Sequence, residues 1–220
     1  MSRTSVPQLQ LALDHTRLDA ALDAADRLHE HVDIVEAGTI LCFSAGVDAV
    51  RQLRQRLPEK TLVADFKVAD AGSTLAELAF EAGANWMTVI CAAPLATFAS
   101  AHEVAQRYQG EIQIELFGNW TMDDARSWRA LGLKQAIYHR GRDAQAQGQR
   151  WSQQDLDAMQ ALSDLGFGLS VTGGITPQEL PQFKEIDVRA FIVGRALTES
   201  ANGLATAAEF HQAIDSIWGK

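Results

Sequence analysis

The stretch Leu62-Val63-Ala64-Asp65-Phe66-Lys67-Val68-Ala69-Asp70 begins as an apolar strand and ends in charge. Residues two apart on an extended chain share a face, so Asp65 and Lys67 are expected to point together from the end of the strand, with Asp70 on the loop beyond. An amphipathic helical pattern, Ser73 to Glu81, follows directly. This order of strand, polar strand end and helix recurs along the whole chain, and it decides the fold.

Working outward, apolar strand candidates fall at Leu9 to Leu13, Ile34 to Ala37, Leu62 to Phe66, Trp86 to Ile90, Gln113 to Leu116, Gln135 to His139, Gly168 to Thr172 and Ala190 to Val193. Helical patterns lie between them, such as Ala45 to Leu57 with Val47, Val50, Leu53, Arg54 and Leu57 at three- and four-residue steps. Eight βα units with no linker or low-complexity segment predict a (β/α)8 TIM barrel, a single α/β domain spanning residues 1–220. Such a barrel builds its site at the C-terminal ends of its strands. Polar residues collect at those ends: Asp14, Glu36, Asp65, Lys67, Glu115, His139, Thr172 and the pair Gly194-Arg195.

Composition narrows the function. A net charge of -9 argues against nucleic acid, whose binding rests on clustered Lys and Arg, but allows an anionic metabolite in a locally positive pocket. No apolar run approaches the roughly 20 residues that span a bilayer, so a soluble cytoplasmic protein with no membrane partner is expected. Cys42 and Cys91, in strand-like or post-strand apolar settings without close metal-ligand partners, read as reduced core thiols.

Three constellations bear on chemistry. Asp65-x-Lys67-x-x-Asp70 holds a lysine among carboxylates, which keeps it protonated and suited to stabilising a developing anion; alone, the motif reads more readily as a structural ion pair. Glu36 and Asp65, on neighbouring strands at similar depth, make a reasonable magnesium site, since that ion keeps waters and takes substrate oxygens as further ligands; Glu36 tied to a lysine or an amide is the bland alternative. Glu115 and Asp14 are further acids that could orient Lys67 or a substrate hydroxyl. Tyr138-His139-Arg140-Gly141-Arg142-Asp143 sets a histidine at a strand end, where it could transfer protons or only brace the structure. Arg142 is either part of that site or a solvated loop charge. Finally, Thr172-Gly173-Gly174 and Val193-Gly194-Arg195 end the last two strands. Phosphate binding in barrels commonly uses those two loops and a helix N-terminus, and Arg195 adds a guanidinium that can grip phosphate oxygens.

These residues resemble a known family. Asp65-x-Lys67-x-x-Asp70 looks like the signature of the orotidine 5'-monophosphate decarboxylase superfamily. Ile34-Val35-Glu36-Ala37-Gly38-Thr39, Asp70-Ala71-Gly72, Gln113-Ile114-Glu115-Leu116, the His139 to Gln145 segment and Thr172-Gly173-Gly174 resemble its 3-keto-L-gulonate 6-phosphate decarboxylases. The resemblance implies magnesium-dependent conversion of that sugar acid phosphate to L-xylulose 5-phosphate and carbon dioxide through a cis-enediolate, in L-ascorbate or related pentose catabolism. It implies Glu36 and Asp65 as metal ligands, and Lys67 as the group stabilising the enediolate with Asp14 and Asp70 beside it. His139 and Arg142 would guide the protonating water, Glu115 and Thr172 line the pocket, and Gly174, Gly194 and Arg195 hold phosphate. It further implies a homodimer with Asp70 reaching the partner's site. A 3-hexulose 6-phosphate synthase shares the metal and the lysine and is the nearest rival; the decarboxylase-like position of Arg142 argues against it. A silent sugar-phosphate-binding barrel is the rival from outside catalysis.

Overall fold

The computed structural model describes residues 6–141, 146–148 and 150–219. Eight parallel strands close into a barrel in chain order: β1 (Gln8–Leu13), β2 (Ile34–Ala37), β3 (Thr61–Val68), β4 (Trp86–Ile90), β5 (Glu111–Leu116), β6 (Gln135–His139), β7 (Gly168–Thr172) and β8 (Val188–Val193), with β8 returning to β1 at Gln10↔Ile192. The expected TIM barrel is therefore present. Strands β2, β4, β6 and β7 have the predicted bounds, and the other four start one or two residues earlier, β3 also ending later.

Helices cover the outside: α1 (Leu18–Leu28), α2 (Thr39–Ala45), α3 (Asp48–Arg56), α4 (Gly72–Glu81), α5 (Leu95–Arg107), α6 (Met122–Ala130), α7 (Gln153–Asp164), α8 (Arg195–Thr198) and α9 (Gly203–Trp218), with short 3-10 turns at His29–His31 and Pro177–Phe183. In α1 the spacing of Ala21, Leu22, Ala25 and Leu28 turns one apolar stripe onto the strands. Capping boxes, Thr121 with Asp124 on α6 and Ser152 with Asp155 on α7, satisfy first-turn N–H groups. Among the described residues no helix is long and apolar enough to cross a membrane.

Two local expectations need correction. The helix predicted over Ala45 to Leu57 starts later, at Asp48 as α3, because Gly46 takes a left-handed φ of 64° that ends a separate helix, α2, at Ala45. Cys42 accordingly sits on a helix rather than a strand, half-buried and free, while Cys91 follows β4, buried and also free. The second concerns β3. From Ala64↔Met87 to Val68↔Val89 it advances four residues while β4 advances two, so the strand bulges, and Lys67 there has φ 44°. Simple alternation therefore does not place Asp65 and Lys67; the bulge does.

Inside the barrel polarity rises toward the C-terminal face. Ile34, Val63, Trp86 and Ala190 form an apolar cluster. Above them come buried Gln10, Gln113, Gln135 and Ser170, and then Glu36, Asp65, Thr88 and Glu115, beside Ala12, Ile137 and Ile192. Gln113 Nε2 donates to Gln135 Oε1 at 2.9 Å, and Gln10 Nε2 donates to Glu36 Oε2. The buried amides thus reach up to the acids.

Candidate active site

A cavity of about 520 Å³ opens at the C-terminal mouth of the barrel. Ten of the twelve residues singled out from the sequence line it: Asp14, Glu36, Asp65, Lys67, Glu115, His139, Thr172, Gly174, Gly194 and Arg195. Asp70 is exposed and does not line it. Arg142 lies outside the described residues.

The acids reach the cavity from strands: Glu36 and Glu115 from paired positions of the barrel's ladder, Asp65 from the β3 bulge. Glu36 on β2, Asp65 on β3 and Glu115 on β5 are 6%, 5% and 2% exposed. Lys67 stands among them. Its Nζ pairs with Asp65 Oδ2, donates to Thr39 Oγ1 at 2.8 Å and lies 3.6 Å from Glu115 Oε1. The rest of Asp65 is held by hydroxyls: Thr39 Oγ1 donates to Oδ2 at 2.5 Å and Thr88 Oγ1 to Oδ1 at 2.8 Å. Thr88 also accepts the Lys67 N–H at 2.8 Å, within the bulge. The bulge and the ion pair share one side chain.

The ionisation of these groups follows from their neighbours. Burial alone would weaken the Lys67 charge, but Glu115 and Asp65 outweigh it and raise its pKa above the ordinary lysine value. Burial likewise works to raise Asp65, but Lys67 and the Thr39 and Thr88 hydroxyls hold it below the usual aspartate range. Glu36 is pushed well above the carboxylate range by burial and then by Asp65. Cys42, behind these acids, is pushed up to about 12 by burial and then by Asp65, so it stays a thiol.

On the far side, His139 Nδ1 hydrogen-bonds Glu115 Oε1. An ionised carboxylate only accepts, so the proton sits on Nδ1 and the ring keeps Nε2 for other work. The ring stands edge-on to Phe117 at 5.4 Å. Asp14, past the end of β1, lies against Gly38: a Cβ there would stand 2.4 Å from Asp14 Oδ1, which only glycine avoids. Gly173 and Gly174 have φ of 116° and 64°, and Arg195 is the first residue of α8. Gly173, Gly174 and Arg195 line the cavity from the ends of β7 and β8, whereas the three buried acids come from β2, β3 and β5.

Could a metal be held here? Three buried carboxylates face one ammonium, and the donors are hard oxygens, a set that fits a divalent cation such as magnesium. Glu36 and Asp65 are the natural pair, since Glu36 is the acid its surroundings least allow to ionise and a cation would relieve that. Among the described residues no group of three His, Cys, Asp or Glu side chains is arranged to hold an ion.

Sequence reasoning gave no role to Gln10, Thr39, Thr88 or Phe117, although Thr39 stood in a quoted motif. Thr88 had a readable signal: it is the one hydroxyl in the apolar run Trp86 to Ile90.

The sequence matches the model of the "Orotidine 5'-phosphate decarboxylase / HUMPS family" over residues 7–210. It is 63% identical over 215 residues to 3-keto-L-gulonate-6-phosphate decarboxylase SgbH of Escherichia coli K12, covering 98% of each chain. Among solved structures, it resembles 3-keto-L-gulonate-6-phosphate decarboxylase from Vibrio cholerae O1 biovar El Tor, with a TM-score of 0.93 and 48% identity over 97% of this chain and 100% of that one. It also resembles a KGPDC from Streptococcus mutans in complex with a sugar phosphate, with a TM-score of 0.95 and 43% identity over 98% of this chain and 100% of that one.

Proposed function

The chain belongs to the orotidine 5'-phosphate decarboxylase / HUMPS family, and we propose that it is a carboxy-lyase converting 3-keto-L-gulonate 6-phosphate to L-xylulose 5-phosphate and carbon dioxide. The observation that carries this reading is Lys67, held protonated between Asp65 and Glu115 in a cavity that Gly173, Gly174 and Arg195 also line.

In a β-keto acid the bond to the carboxylate breaks, carbon dioxide leaves, and the electron pair stays on the substrate, delocalised onto the neighbouring ketone oxygen. The product of that step is a cis-enediolate. Lys67 places a fixed ammonium where this charge develops, and needs no reorganisation because Asp65 and Glu115 already hold it. Magnesium, which Glu36 and Asp65 would hold, would supply divalent positive charge to stabilise the developing anion. Asp14 and Asp70 bind substrate hydroxyls or place Lys67. His139 and Arg142 orient the water that returns a proton to carbon, and Glu115 and Thr172 line the pocket.

Gly174, Gly194 and Arg195 hold the phosphate, whose remote binding energy orients the reacting carbons. Asp70, exposed and outside its own chain's cavity, acts in the site of a second copy, so the working unit is a homodimer. The enzyme works in the cytoplasm, in L-ascorbate or related pentose catabolism.

Paired assays test the reaction. Protein given 3-keto-L-gulonate 6-phosphate and magnesium should release carbon dioxide. No release, with rapid consumption of formaldehyde and ribulose 5-phosphate, would assign the 3-hexulose 6-phosphate synthase reaction instead.

A further inference from the structure

We infer that Arg140, which does not line the cavity, is the positioning residue that aims the backbone N–H groups of the Gly173-Gly174 loop at the substrate's phosphate. Arg140 is 7% exposed, immediately after β6. Its guanidinium donates from Nε to the Gly173 carbonyl at 2.8 Å and from Nη2 to the Gly174 carbonyl at 3.2 Å. Three other contacts fix it: its own N–H donates to Thr172 O at 3.1 Å, Nη1 stands 3.6 Å from Glu179 Oε1, and the guanidinium lies 4.7 Å over the Trp151 ring.

A trans peptide is planar, with its C=O and N–H pointing to opposite sides. Drawing the carbonyls of Gly173 and Gly174 back onto Arg140 therefore turns the N–H groups of Gly174 and Ile175 the other way. Both residues line the cavity. Among the described residues, neither N–H donates to a backbone carbonyl outside the strands and helices. Two successive N–H groups on one concave side make an anion-binding nest. The fit also explains Gly173, where a Cβ would stand 2.2 Å from Arg140 O. Glu179 caps the next turn through Thr176, so the arginine braces both the loop and the turn that follows.

The inference rests on the phosphate reading proposed above, and calorimetry with inorganic phosphate as the probe separates the two. Wild-type protein should bind phosphate. Arg140→Met should weaken that binding about tenfold or more, the scale of losing charge-assisted hydrogen bonds. Arg140→Lys, which keeps the buried charge and one carbonyl bond, should recover part of the loss, and magnesium affinity should be unchanged in both variants.

Phosphate binding by Arg140→Met at wild-type strength would overturn the role of Arg140 alone. Absence of phosphate binding by the wild type would overturn the phosphate reading and this role with it. If Arg140→Met does not fold, Arg140→Lys decides, and wild-type phosphate affinity in that variant overturns the inference.

Discussion

The Lys67 ammonium lies 3.6 Å from Oε1 of Glu115, the same oxygen that takes the hydrogen bond from His139 Nδ1. One buried carboxylate oxygen therefore ties the group proposed to stabilise the enediolate to the group proposed to guide its protonation. Glu115→Gln keeps the shape but removes the charge that raises Lys67 and fixes the histidine's proton. We expect kcat to fall about 10²-fold or more, the scale of losing a positioned acid–base group, with KM changed much less. Steady-state kinetics with kcat within threefold of wild type would show that Glu115 only fills space.

Glu36 yields a prediction about stability. Its folded-state pKa is raised by burial and then by Asp65, so above the unfolded value of about 4.3 the unfolded chain releases a proton that the folded chain retains. Stability from this group is present at low pH and declines as pH rises toward its folded pKa. In chelator, Glu36→Gln should therefore melt progressively higher than wild type from pH 5 to pH 7, while losing activity. Parallel melting temperatures across that range would refute the assignment. Magnesium should raise the melting temperature of wild type and not of the variant.

Thr88 is fully buried and bonds both the Lys67 N–H and Asp65 Oδ1. Thr88→Val preserves the shape and leaves a buried donor and a buried acceptor without this partner. Urea denaturation should show a loss of about 2–3 kcal/mol. A loss below about 0.5 kcal/mol would mean that the bulge does not depend on this hydroxyl.

Complementation tests the proposed dimer. Asp70→Asn and Lys67→Ala proteins should each be inactive, yet mixing and reassembling them should restore activity, because one of the two sites in a hybrid can receive Asp70 from one chain and Lys67 from the other. No recovery, with hybrids verified by mass spectrometry, would confine each site to one chain.

Much of the barrel was legible because strands such as Ile34–Ala37 are buried on both faces and read as short apolar runs between amphipathic helices. The acids at strand ends were legible for the same reason: a carboxylate in such a run has only the barrel mouth to face. The break between α2 and α3 was overlooked because only Gly46 marks it, and the apolar spacing of Val47, Val50, Leu53 and Leu57 begins directly after it. The β3 bulge arises from pairing with β4, which the local pattern of Asp65 and Lys67 does not contain. Arg140 was quoted only as part of a motif, since its carbonyl partners lie 33 and 34 residues away.

The division of labour between strands and loops has a consequence for the order in which the protein fails. Glu36 and Glu115 belong to the parallel ladder, and their geometry is lost only when the barrel opens as a whole. The phosphate end rests on a two-glycine turn and a four-residue helix, elements that open locally at far lower free energy. On mild warming, or at low denaturant, the protein should first lose its grip on substrate while its acids stay in place. Amide exchange would resolve that sequence: Gly174 and Ile175 exchanging early, the amides of Glu36 and Glu115 only at global unfolding.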